Sequence, residues 1–501
     1  MIQIAQDKYI ILFDGMGCIF KVPKKLSNHF LEKFQKEQVF EYRTKNLIYK
    51  SVEVQEPIAC FKIVKEDAQY TYFQTSTYYG RQVYQANKEI IKKYDATYFN
   101  QLDNFNNFIK REPNLNHPRA HKEQPQVFSK SYERLLKTGL CFVKAGTGCG
   151  KSVIILKTAT MLKTRTLILV HREKLVKHFE EECFNILGIT PSNLGKIHRG
   201  TKNLTSPIVI GTIQSVLSII KTNPNAFKDL FGFIAYDEAD IMGAREFSKV
   251  LRAFNPKYQM GCSATIKRSD GMEDVFWSHF GKENVVEAKG DALPIKVVVQ
   301  ETQTYLPTYY KNKPNLVNTG LALNKAYNQT MAKLGFDLYK KGRNVLVFAE
   351  NTYHLALYKK YLLDLGVPQN EIGEFFGTTD SSSRHMTDDL RRYILPANEK
   401  TDKYFEWVKK QPKFVLATFA YMDRGISIPR LDTGISLVDR SDMTQTIGRI
   451  RRPAELGTVK ALPVWIFAKH TNIPILSRRT EKFIKELQKD KNIMIRRLTR
   501  L

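Results

Sequence analysis

The stretch Ala145-Gly146-Thr147-Gly148-Cys149-Gly150-Lys151-Ser152 stands between two apolar runs, Leu140–Val143 and Val153–Leu156. No other stretch constrains the fold as tightly, because its context predicts strand, tight loop, then helix. Glycines at 146, 148 and 150 let the backbone curl until successive N–H groups face one anion. The following helix adds its positive end, Lys151 can reach outer phosphates, and the Ser152 hydroxyl can hold Mg²⁺. This is the pattern of a phosphate-binding loop, and it predicts binding of ATP or GTP.

Around the loop, short β-branched runs alternate with helical stretches. Leu140–Val143, Leu167–Val170, Ile208–Ile210, Phe233–Tyr236 and Met260–Cys262 read as buried parallel strands covered on both faces by helices. A second series follows Pro294: Ile295–Val299, Val345–Phe348, Phe414–Ala417, Ile435–Val438 and Val464–Phe467. Two such series predict two related α/β domains in tandem, of which one carries the phosphate loop.

Upstream the pattern differs. Tyr9–Phe13 and Cys18–Val22 flank Asp14-Gly15-Met16-Gly17 and predict a hairpin, with further strands at Leu47–Tyr49, Ala59–Val64 and Tyr70–Phe73. The polar segment from Asn104 to Gln124, with Pro113 and Pro118, reads as a linker. The expected division is a β-rich domain over 1–115, α/β domains over 116–290 and 291–475, and a basic helix over 476–501.

Composition narrows the class. With 43% hydrophobic and 26% charged residues, the 501-residue chain is typical of globular proteins. No apolar run approaches the roughly 20 residues that span a bilayer, and the N-terminus lacks the pattern of a secretory signal. Six scattered cysteines without Cys-x-x-Cys pairs predict neither a zinc site nor a disulfide framework, so a cytoplasmic location is expected. The formal net charge of +28 calls for a polyanion, and nucleic acid is the commonest.

Carboxylates follow at a strand end. Phe233–Tyr236 runs into Asp237-Glu238-Ala239-Asp240, where Asp237 can hold Mg²⁺ and Glu238 can activate an attacking water. An isolated acidic tetrad reads as a turn or helix start. Behind a buried strand and downstream of a phosphate loop, the catalytic reading takes precedence. Farther on, Gln445-Thr446-Ile447-Gly448-Arg449-Ile450-Arg451-Arg452 brings in permanently charged forks that match phosphate oxygens.

Together these segments resemble the superfamily 2 nucleic-acid helicases, over roughly residues 118 to 470. Ser263-Ala264-Thr265 is similar to the family's third motif, which links hydrolysis to movement between domains. Leu167–Arg172 and Ile210–Ser215 resemble segments that lie along the nucleic-acid backbone, which implies contacts from His171, Arg172, Thr212 and Gln214. Asn344–Glu350 resembles motif IV, and Ala417-Thr418 through Gly425-Ile426-Ser427-Ile428-Pro429 resembles motif V. Thr418 is implied on nucleic acid and Gly425 in coupling.

The run Gln445–Arg452 fits motif VI, with Arg452 and Arg449 implied at the γ-phosphate. The resemblance implies two RecA-like parallel-sheet domains, ATP with Mg²⁺, and a clamp in which Lys151 and Arg452 hold one nucleotide. Of the glutamines upstream of the loop, Gln126 fits the adenine-reading distance best and Gln124 is the alternative. Ala145 stands where many relatives have Gly, and Ser427 where many have Asp.

Asp237–Asp240 spells the signature of the DEAD-box RNA helicases, which usually begin motif VI with His; this chain has Gln445. Val170–Glu173, Ser263–Gly271 and Thr418–Ala420 look closer to phage branch-migration helicases of the UvsW type and to XPB-like helicases. That resemblance implies forked, branched or duplex DNA as partner, a monomer, and a place beside replication or recombination proteins. An RNA helicase, or a remodelling switch that hydrolyses ATP without separating strands, is the alternative. In the N-terminal region Tyr70, Tyr72, Phe73, Tyr78, Tyr79 and Tyr84 lie near Arg81 and Lys88. Such a mixture suits base stacking and equally an aromatic β core, so no site residues are assigned there.

Overall fold

The computed structural model describes residues 10–14, 18–41, 57–95, 105–116, 122–146, 149–198, 201–202, 204–254, 256–264, 266, 271–288, 293–314, 316–376, 385–419, 428–438, 443–451 and 461–499. The chain divides into two compact units, residues 1–290 and 291–501.

The first unit opens with a five-stranded sheet, ordered Phe61–Glu66, Tyr70–Thr75, Cys18–Pro23, Ile10–Asp14, Ile91–Asp95. Ile10–Asp14 and Cys18–Pro23 pair antiparallel, as the hairpin pattern predicts, while Ile91–Asp95 joins parallel to the first strand. Leu47–Tyr49 lies outside the described residues. Helices Lys24–Glu37 and Thr77–Ala86 cover one face. Phe34 meets Phe20 and Phe73 at ring distances of 5.8 and 5.4 Å. Gly80 packs so closely that an added Cβ would fall 2.2 Å from Cys18 Cβ, which puts the second helix on the same face.

The expected linker is corrected. Phe105 is buried in the core of the following parallel-sheet portion, and the amides of Lys110 and Arg111 both donate to the Leu187 carbonyl at 3.0 Å. Apolar Phe105 and Ile109 supply the adhesion that the polar average of this segment hides.

That portion is built on eight strands in the order Thr201–Lys202, Leu194–His198, Ile208–Thr212, Thr166–Val170, Phe233–Asp237, Tyr258–Ser263, Leu140–Lys144, Val285–Glu287. Only the two-residue edge strand pairs antiparallel within it. Its strands are buried on both sides, and alternate residues serve two cores. Val143, Ile168, Ile210 and Ala235 belong to one, and Phe142, Leu169, Val209 and Ile234 to the other.

The second unit holds seven parallel strands, ordered Ile372–Phe375, Phe414–Thr418, Val345–Ala349, Thr433–Ser436, Val464–His470, Ile295–Thr302, Ile493–Thr499. This agrees with the tandem RecA-like parallel-sheet expectation. The C-terminal segment corrects another: the helix runs Pro474–Leu487, and Ile493–Thr499 is an edge strand beside Ile295–Thr302. Ile493 and Ile495 alternate with exposed Met494 and Arg496, a period of two that the lysines and arginines mask in composition. Among the described residues, no helix is long and apolar enough to cross a membrane.

Candidate nucleotide site

The site lies at the C-terminal ends of three adjacent strands of the first unit, where open parallel sheets receive ligands. Leu140–Lys144 feeds the glycine loop, Tyr258–Ser263 lies beside it, and Phe233–Asp237 is the next strand. The central strand ties the other two together. The Ser263 carbonyl accepts the Ala145 amide at 3.0 Å, and the Ser263 hydroxyl donates to Asp240 Oδ1 at 2.6 Å. Loop and acidic segment are thereby linked through one buried residue, followed by Ala264.

Within the loop, Gly150 takes φ +68°, a left-handed conformation that glycine adopts without strain, and caps the helix Lys151–Leu162. Lys151 Nζ donates to the carbonyls of Ala145 and Gly146 at 2.9 and 3.3 Å. Cys149 is buried, and Thr147 and Gly148 lie outside the described residues. The glutamine against the loop is Gln124: it is buried, and its Nε2 donates to the Gly150 carbonyl at 3.1 Å. Gln126 is exposed, which corrects the preference for it. Two positions along a helix turn a side chain by about 200° at 3.6 residues per turn, so only one of the pair can face the loop.

The carboxylates have opposite electrostatics. Burial raises the Asp237 carboxyl to about 6, with Lys151 opposing the rise and the Glu238 charge adding to it. Burial also acts to raise Glu238, but the neighbouring His171, Arg172 and Lys151 outweigh it and hold this carboxyl below its ordinary range. Glu238 sits at φ +52°, uncommon for a residue with a Cβ, and the turn Ala239–Gly243 follows directly. His171 Nδ1 lies 2.9 Å from Glu238 Oε2.

This placement changes the reading of His171, whose ring faces the catalytic candidate. Thr212 also turns inward: it is buried, and its hydroxyl accepts the Ser215 amide at 3.2 Å as a helix cap. Gln214 is exposed and donates to the His171 carbonyl at 3.1 Å, while Arg172 is half-buried. Glu182, which the sequence did not single out, stands beside Ser152. Burial raises its carboxyl, whereas His178 and a hydrogen bond with Ser152 oppose the rise. Only the fold reveals it, because a glutamate within Glu180–Glu182 looks like a solvated helix face.

The residues present fit a magnesium–nucleotide complex. A lysine ammonium and a helix N-terminus provide the cationic cradle, and Ser152 and Asp237 offer the oxygen ligands that a hard cation takes. When bound, the cation would neutralise charge developing on the phosphates.

Known proteins bear on this geometry. The family described as type III restriction enzyme, res subunit, matches residues 118–268, spanning the loop, the carboxylates and Ser263. The chain is 26% identical over 343 residues to a candidate ATP-dependent RNA helicase of Acanthamoeba polyphaga mimivirus, covering 66% of this chain and 60% of that protein. It is 23% identical to the DNA 3'-5' translocase XPB2 of Sulfurisphaera tokodaii, covering 66% and 79%. On these matches the chain is similar to known helicases. It spans about three fifths of the mimivirus relative's length.

The fold agrees, with a TM-score of 0.50 to S. cerevisiae Dbp5 bound to RNA and ADP BeF3, at 15% identity over 77% of this chain and 91% of that one. The second unit places Gln445 on the short helix Thr444–Gly448, followed by buried Arg449. Arg451 is structural: it donates to the Leu293 carbonyl at 2.9 Å and pairs with Asp490 at 2.7 Å. Thr418 is buried at the end of its strand. Thr265, Gly425, Ser427 and Arg452 lie outside the described residues.

Proposed function

We propose that this chain is an ATP-driven DNA motor that unwinds or branch-migrates forked or junction DNA. The observation that carries the ATPase part is the joining of Ala145, Asp240 and Ser263 beside Lys151, Asp237 and Glu238. Lys151 and the loop amides bind the phosphates, with Ser152 and Asp237 on Mg²⁺. Glu238, kept ionised and oriented by His171, takes the proton of the attacking water. Gln124 borders the base, while Arg449 and Arg452 stabilise charge at the γ-phosphate. Ser263 passes the state of the phosphates to the domain movement, and Arg172, Gln214 and Thr418 lie along the nucleic acid.

DNA is favoured by Gln445 at the start of motif VI, by the XPB-like strings, and by the translocase relative. The +28 charge supports a polyanionic track in either case. The mimivirus relative's name supports the RNA alternative. Action in the cytoplasm as a monomer, in replication, recombination or repair, is part of the same proposal.

ATP turnover and strand displacement on forked DNA, Holliday junctions, plain duplex, single strands and RNA separate these readings. The expected order puts forked and junction DNA first. Stimulation by RNA alone would overturn the DNA assignment, and turnover without strand displacement on any substrate would leave the remodelling switch.

A further inference from the structure

The two faces of the N-terminal sheet differ in kind. Phe20, Phe73 and Val22 pack beneath the two helices, and the strand period of two sends Lys21, Tyr70 and Tyr72 to the opposite face. Helices Lys24–Glu37 and Thr77–Ala86 lie on the first face, and at one end of the second buried Gln74 donates to the Arg252 carbonyl at 3.3 Å, so the short helix Val250–Arg252 borders it there. On the second, Lys21 Nζ sits 4.0 Å from the centre of the Tyr70 ring and 5.9 Å from that of Tyr72. Lys65 adds a second cation 5.4 Å from Tyr72, and exposed Lys62 lies opposite Gln74 in register. At the far edge Lys92 repeats the arrangement over Tyr94 at 5.2 Å. Of the described carboxylates, Asp67 reaches the rim, where it accepts the amides of Gln69 and Tyr70 at 3.0 and 2.8 Å and also touches Tyr72.

Of the other residues of the aromatic-basic mixture, Tyr84 packs against the first-face core, Lys88 is exposed, and the rest are engaged elsewhere. Phe73 is core, Tyr79 donates to Glu37 at 2.6 Å, and Arg81 donates to the Thr138 carbonyl at 2.6 Å. Tyr78 packs on Gly281. What remains among the described residues is a cationic face of half-buried tyrosines, bordered at its Gln74 end by Arg252.

We propose that this lysine- and tyrosine-bearing face, carried by Lys21, Lys62, Lys65, Tyr70 and Tyr72, docks an unpaired nucleic-acid strand. Lysines contact the phosphates while tyrosine rings receive bases, which only an unpaired strand can offer face-on. Tyr70 and Tyr72 are about 7 Å apart along one strand, at 3.2–3.4 Å per residue, so neighbouring bases of an extended strand can occupy successive rings. The face would hold the separated arm of a fork. The inference rests on the reading of the chain as acting on nucleic acid.

The test uses the full chain without nucleotide and a fluorescein-labelled oligothymidylate of about 20 residues, with a blunt duplex of equal length as comparison. Tyr72→Ala is expected to weaken single-strand binding about tenfold, and Tyr72→Phe to restore it. The Lys21→Ala/Lys65→Ala pair should reduce the slope of log affinity against log salt by about 1.4, at about 0.7 per phosphate contact. Folding of each variant is checked by its melting temperature. Unchanged single-strand affinity and slope in folded variants would overturn the proposal, as would equal losses on the duplex. Failure of the unaltered chain to bind any nucleic acid would instead overturn the motor reading beneath it.

Discussion

Both parallel-sheet units bury carboxylates among their strands, and the treatment of those carboxylates differs. In the second unit, Glu374 lies between Lys359 and Lys400, each at 2.8 Å, and also accepts the Leu395 amide. Asp432 pairs with Arg343 at 3.3 Å. In the first unit, Asp237 stands at a strand end where burial lifts it to about 6, and Lys151 bonds loop carbonyls at 2.9 and 3.3 Å. The difference separates charges that hold a fold from charges held ready for a ligand. A buried pair with complete partners contributes to packing and specificity; a buried acid with incomplete compensation is a functional candidate.

The largest expected effect comes from Arg452→Ala, which should retain nucleotide binding and lose about 10³–10⁵ in turnover, as removal of an arginine finger does. Single-turnover hydrolysis checks it. Glu374→Ala should do the opposite. It strands Lys359 and Lys400 in the interior and should cost about 3–5 kcal/mol in stability, read by denaturant unfolding, with turnover per folded molecule unchanged.

A smaller effect follows from Asp237. Its carboxyl, raised to about 6, must be ionised to hold a cation, so activity is present above that pH and declines as pH falls through it. The kcat/KM for ATP should fall about tenfold for each unit below pH 6. The least effect belongs to Gln126→Ala, which leaves the KM for ATP unchanged because the side chain is exposed, whereas Gln124→Ala raises it.

These contrasts also mark what the sequence makes legible. Buried parallel strands announce themselves as unbroken runs such as Leu167–Val170, because both faces are covered and no polar alternation interrupts them. Ile493–Thr499 and Ile91–Asp95 escape that rule as edge strands, where lysine and arginine share the run. The loop, Asp237 and Glu238 are readable since their chemistry needs particular residues at particular spacing. His171 beside Glu238, Glu182 beside Ser152 and Gln124 against Gly150 are not, because each depends on which way a helix or strand end turns. The same limit hides the tyrosine platform, whose rings are separated from core aromatics only by the pleat.

On the proposed function, the carboxylates at the strand ends of the first unit drive nucleic-acid-stimulated ATP hydrolysis. Steady-state turnover of the unaltered chain and of Glu238→Gln, each with and without forked DNA, tests it most directly. The expected result is slow basal turnover, strong stimulation by the fork, and a loss of about 10²–10⁴ in the variant at an unchanged melting temperature. Turnover indifferent to nucleic acid, or a Glu238→Gln chain as fast as the original, would contradict it.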